Sequence, residues 1–300
     1  MKKFLVSLLC LTFLSGCGAP PESGASFTAA ATAYPVYLLA REVMEGVEGA
    51  ELIAVVNQPV SCLHDYTLTI SNMKAIEQAD LLLLNGVGLE EFLGDALGGR
   101  PAADCSEGVP LLETDGEAHH DHEHEHSEHD HGEHDPHIWM DPERAARMTE
   151  NIAAALAQAD PDHGEAYLAN GAAAAEDLRG LKAALSAKLD GLSCRKLITF
   201  HDGFAYLADA FDLELLASIE EEEGSEASAK DIVEIVAAVE TYGLPAIFVE
   251  ANGSDATANA ISRECGAAVH TLSMLMSGPE GATYGELMTG NIEVLLEALA

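Results

Sequence analysis

Positive charge is scarce in this sequence. Only 14 Lys and Arg stand against 51 Asp and Glu in 300 residues, a formal net charge of −37. Nucleic-acid binding needs clustered cations to neutralise phosphates, so a balance this acidic argues against it and makes cations the natural partners. Long apolar runs are lacking too. The run from Phe4 to Leu14 is too short to span a bilayer as a stable helix. No C-x-x-C pair occurs among the six cysteines, which argues against zinc ligation by thiolates. What remains abundant is apolar content, 48% of the chain, enough for two domains of ordinary size.

Lys2 and Lys3 ahead of the Phe4 to Leu14 run have the layout of a secretory signal. Leu14-Ser-Gly-Cys17 resembles a bacterial lipobox, in which the cysteine is lipidated and becomes the first residue of the mature chain. A diacylglyceryl group carries more than one acyl chain, which makes anchoring to the cell membrane stable. The expected organisation is a signal segment over 1–17 and a flexible tether over 18–26. Cys10 then leaves with the signal and Cys17 is committed to lipid. Cys62, Cys105, Cys194 and Cys265 remain as disulfide candidates in an oxidising compartment, with three pairings possible. Cys62 with Cys105 and Cys194 with Cys265 are the pairs that stay within one lobe.

Compact apolar runs alternate with helical periodicity. Strands are expected at Phe27 to Thr32, Leu52 to Val56, Leu81 to Asn85 and Val109 to Leu112, with helices at Val36 to Glu45, Thr69 to Gln78, Glu90 to Leu97 and Glu143 to Ala159. Asp160-Pro161 then reads as the start of a long helix to Leu189, roughly 40 Å of backbone at 1.5 Å per residue. Gly171 and Gly180 each cost that helix about 1 kcal/mol relative to alanine. The alternation resumes with strands at Leu197 to Phe200, Leu213 to Ser218, Ala246 to Val249 and Ala268 to Leu272. The helices there are Gly203 to Ala210, Ser228 to Tyr242, Ser254 to Cys265 and Thr283 to Leu299. The fold class is therefore α/β: two lobes, 27–159 and 191–300, each with a four-stranded, mainly parallel sheet flanked by helices, joined by a rigid helix over 160–190.

Nine of the thirteen histidines fall between His119 and His137. His119, His120, His122, His124, His126, His129, His131 and His134 alternate with acids and carry almost no apolar company, so this stretch is expected to be a solvated, disordered loop that gathers cations. His137 differs, because Pro136 restricts the chain before it and Ile138, Trp139 and Met140 can anchor it after. Ligands of open parallel sheets bind beyond the carboxyl ends of the strands. His64, His137 and His201 all follow strands, the first two from one lobe and the third from the other. Three neutral imidazoles suit zinc. Taken singly, a histidine after a strand is more often a hydrogen-bonded or surface residue than a ligand; His163 reads as exposed and His270 as a core or edge residue.

Asp135-Pro-His-Ile-Trp-Met-Asp-Pro142 resembles the DPHxWxDP signature of the zinc- and manganese-binding substrate-binding proteins of ABC importers, the ZnuA/TroA-like family. Gln58 to Leu68, with His64, Asp65 and Tyr66, is similar to the loop carrying that family's first ligand. Thr199-Phe-His-Asp-Gly-Phe-Ala-Tyr206 resembles its third-ligand segment. Glu250 and the Gly266 region also match, so the likeness covers about residues 27 to 300. The resemblance implies two α/β lobes on one long helix, metal between them, little domain closure, and His64, His137 and His201 as ligands. It favours Zn²⁺ over Mn²⁺, because the third position is histidine and His-rich loops occur in the zinc branch. It further implies an ABC permease and its ATPase as partners, with the receptor an extracytoplasmic, lipid-anchored monomer and not an enzyme. One departure stands out: where the family commonly supplies a carboxylate near 272–274, this chain has Thr271-Leu-Ser-Met274. The fourth position is then open to water or to another acid, and the loop Glu220-Glu-Glu-Glu223 offers Glu222. Solvated surface is the competing reading of that loop.

Two other functions fit part of the pattern. Three histidines and a water are also the layout of a zinc hydrolase, but no segment offers a convincing general base. A surface adhesin or zinc buffer would make the His-rich loop the working part.

Overall fold

The computed structural model describes residues 27–60, 63, 66–112, 134–220, 229–251 and 256–300. The signal segment with Cys17, the tether, Cys62, His64, His119 to His131 and Glu222 lie outside the described residues.

The first lobe runs β1 (Phe27–Ala31), α1 (Tyr34–Met44), β2 (Ala50–Ala54), α2 (Ile70–Gln78), β3 (Leu81–Leu84), a kinked 3-10 segment (Leu89–Leu97) and β4 (Ala102–Asp104), then α3 (Pro142–Ala159). Its sheet has the order β2-β1-β3-β4 with every pair parallel. Pro35 in the first turn starts α1 where a missing N–H costs nothing. A reciprocal capping box between Thr69 and Asn72 starts α2. The four leucines of β3 form the continuous apolar run of a strand covered on both faces.

The fourth strand is not where the apolar run predicted it. Ala102–Asp104 pairs with β3, Leu84 opposite Asp104, while 109–112 is a loop whose Pro110 carbonyl accepts from Arg144 Nε at 2.8 Å. A three-residue edge strand with outward-facing residues needs no apolar run, so periodicity passes over it.

The long helix spans 161–189 as predicted, with its first turn 3-10 and the rest α-helical. Asp160 both ends α3 and stands at the N-cap of this next segment: its N–H bonds Leu156 O, and its carboxylate takes the phenol of Tyr167 at 2.9 Å and pairs with His163 Nδ1 at 2.7 Å. The 3-10 turn is Pro161–His163, and α4 (Gly164–Leu189) runs unbroken for 26 residues. Its buried residues, Tyr167, Gly171, Ala175, Leu178, Leu185 and Leu189, form one helical stripe. Gly171 is there for space: a Cβ would lie 2.4 Å from that of Ala153 on α3.

The second lobe repeats the pattern: β5 (Lys196–His201), α5 (Ala205–Ala210), β6 (Glu214–Glu220), α6 (Ala229–Tyr242), β7 (Ala246–Glu250), α7 (Ala256–Cys265), β8 (Ala268–Leu272) and α8 (Tyr284–Leu299). The sheet order is β6-β5-β7-β8, again parallel throughout. Side chains alternate across it. Ile198, Phe200, Ile247 and Val249 fill a core under α6 and α7, whereas Leu197, Ala246, Phe248 and Leu272 join a single core that continues into the first lobe through Trp139, Phe204 and Met274.

Among the described residues Cys105, Cys194 and Cys265 are free thiols, so no disulfide joins Cys194 to Cys265. Cys265 ends α7 and turns its sulfur to Ile261 O at 3.1 Å, while Cys194 faces Lys196 O at 3.7 Å. Cys105 is fully buried, and burial raises its thiol pKa well above the ordinary value. Each behaves as a small apolar residue with a local carbonyl for its S–H.

Candidate metal centre

His137 and His201 come together from opposite lobes. Their ring centroids are 5.6 Å apart and the rings nearly perpendicular, at 84°. His201 is the last residue of β5, the central strand at which the chain order of the second sheet reverses, and this is where open α/β sheets leave a crevice. His137 caps a 3-10 turn (Ile138–Met140) whose three residues are fully buried. Both histidines are themselves buried, 3% and 6% exposed, so their imidazoles point into protein and not into bulk water.

The two aspartates of the 135–142 motif do different work. Asp135 Oδ1 accepts the His137 backbone N–H at 2.8 Å and pairs with ring Nδ1 at 2.7 Å. A carboxylate on Nδ1 fixes the orientation of the ring and its tautomer. Asp141 is structural. It caps α3 by accepting from Glu143 N at 2.8 Å, and its carboxylate also holds Arg144 at 2.8 Å and Lys182 at 2.9 Å. Trp139 packs edge-on to His137, with ring centroids 5.2 Å apart, and donates Nε1–H to Met274 O at 2.8 Å. Gly203 is needed beside them, because a Cβ there would lie 2.2 Å from Met274 Cε and 3.0 Å from His137 Cδ2.

Behind His137, the crevice of the first sheet is closed by a buried acid. Glu90 accepts from Thr32 Oγ1 at 2.7 Å, Asn85 N at 2.6 Å and Gly86 N at 3.0 Å, tying together the ends of β1 and β3. Asn85 Nδ2 then donates to Pro136 O at 3.0 Å. Burial raises the pKa of Glu90, against the lowering effect of its three hydrogen bonds.

At the expected carboxylate position, Ser273 serves the backbone: its Oγ accepts Leu275 N at 3.0 Å, and Asn291 brackets its peptide through N–H and C=O. Glu250 ends β7 and is buried beside Leu272 of β8. Of the His-rich stretch, His134 is the member described and is half-buried. His163 pairs with Asp160, and His270 of β8 packs near Phe248 of β7. Among the described residues no three metal donors converge on one point; the structure brings together His137 and His201. Asp135 and Glu90 are supports that the sequence pattern did not single out. Asp135 had a signal, an acid two residues before the histidine; Glu90 lies far from it in the chain.

Residues 30–298 match the family described as ZnuA, zinc-uptake complex component A, periplasmic. The zinc-binding lipoprotein AdcA of Streptococcus pneumoniae serotype 4 is 29% identical over 310 residues, covering 98% of this chain and 60% of AdcA. The manganese-binding lipoprotein MntA of Halalkalibacterium halodurans is 23% identical over the full length of both chains. Among solved structures, a mutant variant of Zn(II)-bound AdcAII from Streptococcus pneumoniae superposes with a TM-score of 0.78 at 27% identity, covering 93% of this chain and all of that one. With the family match spanning nearly the whole described fold, the chain belongs to the ZnuA family of periplasmic zinc-uptake components.

Proposed function

We propose that this protein is the extracytoplasmic receptor of an ABC metal importer, capturing Zn²⁺ between its lobes and handing it to the permease, with Mn²⁺ the weaker cargo. The observation that carries this is the pair of buried imidazoles, His137 and His201, one from each lobe and 5.6 Å apart at the strand ends. His64, on the loop beyond β2, completes a set of three neutral imidazoles, a donor set that suits zinc. Glu222 is the candidate fourth donor, since Ser273 Oγ is already engaged by Leu275 N. The His-rich run from His119 to His134 acts as an auxiliary trap that raises local cation concentration. Lipidation at Cys17 anchors the receptor to the membrane, where it works as a monomer without catalytic activity.

The test is competitive zinc titration of the mature protein against a chromophoric chelator. His137→Ala and His201→Ala should each weaken binding by more than about 100-fold, beyond the 10–100-fold typical of losing an outer-shell partner. Glu222→Gln should weaken it less. Removal of residues 119–134 should leave one tight site. Loss of nearly all binding on that deletion would show instead that the loop is the working part and the protein a buffer.

A further inference from the structure

Tyr206 is hydrogen-bonded on both sides of its phenol by the opposite lobe. Its oxygen accepts the Leu112 N–H at 3.0 Å and donates to Asp135 O at 2.9 Å. The residue is fully buried, and burial raises the pKa of the phenol. Arg144 lies over the ring face with its guanidinium carbon 4.7 Å from the centroid, and is held in turn by Asp141 at 2.8 Å and Asp209 at 2.7 Å. The ring therefore has no freedom to follow a moving partner. Tyr206 belongs to α5, the helix entered directly from the His201 segment. Asp135, whose backbone oxygen accepts the phenol hydrogen bond, holds the His137 ring with its side chain at 2.7 Å.

We propose that Tyr206 is a positioning residue for the metal site: from the lobe that carries His201 it fixes Asp135, and through Asp135 the orientation of the His137 ring. The chain of contacts is short, phenol to carbonyl within one residue and carboxylate to imidazole from that same residue. It adds a direct hydrogen-bonded link between the two histidine segments to the packing that docks the lobes. The inference rests on the reading of His137 and His201 as cargo ligands.

Tyr206→Phe keeps the ring and its packing and removes the hydroxyl alone. Tyr167→Phe is the control, because it removes a buried phenol hydrogen bond too, to Asp160 at the far junction of α3 and the 3-10 turn. Both variants should unfold at lowered denaturant concentration, Tyr206→Phe by more, since it loses two phenol hydrogen bonds to the one lost in Tyr167→Phe. In the full-length protein, Tyr206→Phe should raise the zinc dissociation constant about 10-fold or more, on the scale of outer-shell losses. It should also alter the visible d–d spectrum of the Co²⁺-loaded protein, which reports ligand geometry. Tyr167→Phe should change neither. Wild-type zinc affinity together with a wild-type cobalt spectrum in Tyr206→Phe would overturn the inference. If the unmutated protein takes up neither zinc nor cobalt, it is the receptor reading that fails.

Discussion

Asp135 grips His137 twice with one oxygen, taking the backbone N–H at 2.8 Å and meeting ring Nδ1 at 2.7 Å. Backbone and imidazole are thereby locked to each other before any ion arrives. Removing this grip should loosen the ring without emptying the core. Asp135→Ala is expected to weaken zinc binding about 10–100-fold, and Asp135→Asn, which retains an acceptor oxygen, by less. Competition titration of both variants beside the wild type checks the order.

Glu90 gives a pH dependence with a defined sign. Its folded pKa is raised above the ordinary carboxylate value, chiefly by burial. A group with a raised folded pKa contributes stability that is fully present below its unfolded pKa and is lost as pH rises through the folded value. Glu90→Gln, which does not titrate, should lack this component. Urea midpoints measured from pH 4 to pH 7 should therefore fall more steeply, or rise less, in the wild type than in the variant. Parallel profiles would contradict the assignment.

The two glycines of α4 should behave oppositely. At Gly171 a Cβ would meet that of Ala153 at 2.4 Å, whereas at Gly180 nothing lies within 4 Å. Gly171→Ala should destabilise by about 1–3 kcal/mol, the range for overpacking a tight contact. Gly180→Ala should stabilise by about 0.5–1 kcal/mol, the helix propensity difference. Chemical denaturation of the two single variants decides the matter.

Cargo should stabilise the fold by mass action. At free Zn²⁺ 100-fold above its dissociation constant, unfolding should cost about 2.7 kcal/mol more than in chelator-treated protein. The gain should shrink as pH falls and protons compete for imidazole. Mn²⁺ at the same concentration should stabilise less. Thermal scans with zinc, with manganese and with chelator, repeated at two pH values, measure all three effects.

The alternation of apolar runs and helical stretches made both sheets legible, because strands such as Leu81–Leu84 and Ala246–Glu250 are buried on both faces and need continuous apolar character. Ala102–Asp104 was illegible for the opposite reason: at an edge, with outward-facing residues, it leaves no such mark. His137 and His201 were marked by their place after strands and within distinctive motifs. Their supports were not. Glu90 meets the ends of β1 and β3 once the first sheet has formed, and Tyr206 meets Asp135 across 71 positions of sequence, a contact that exists only once the lobes are docked. The cysteines misled because an even count in an oxidising compartment says nothing of geometry; each described thiol has a carbonyl of its own segment within reach.

The core that runs without a break from one lobe into the other limits how cargo leaves. Swinging the lobes apart would expose Trp139, Phe204, Met274 and Tyr284, all buried at the junction, at roughly 1.5–3 kcal/mol for each side chain. Such a hinge would consume much of the stability of an ordinary domain. The aperture is then nearly fixed. Selection among ions rests on donor chemistry more than on a closing fit.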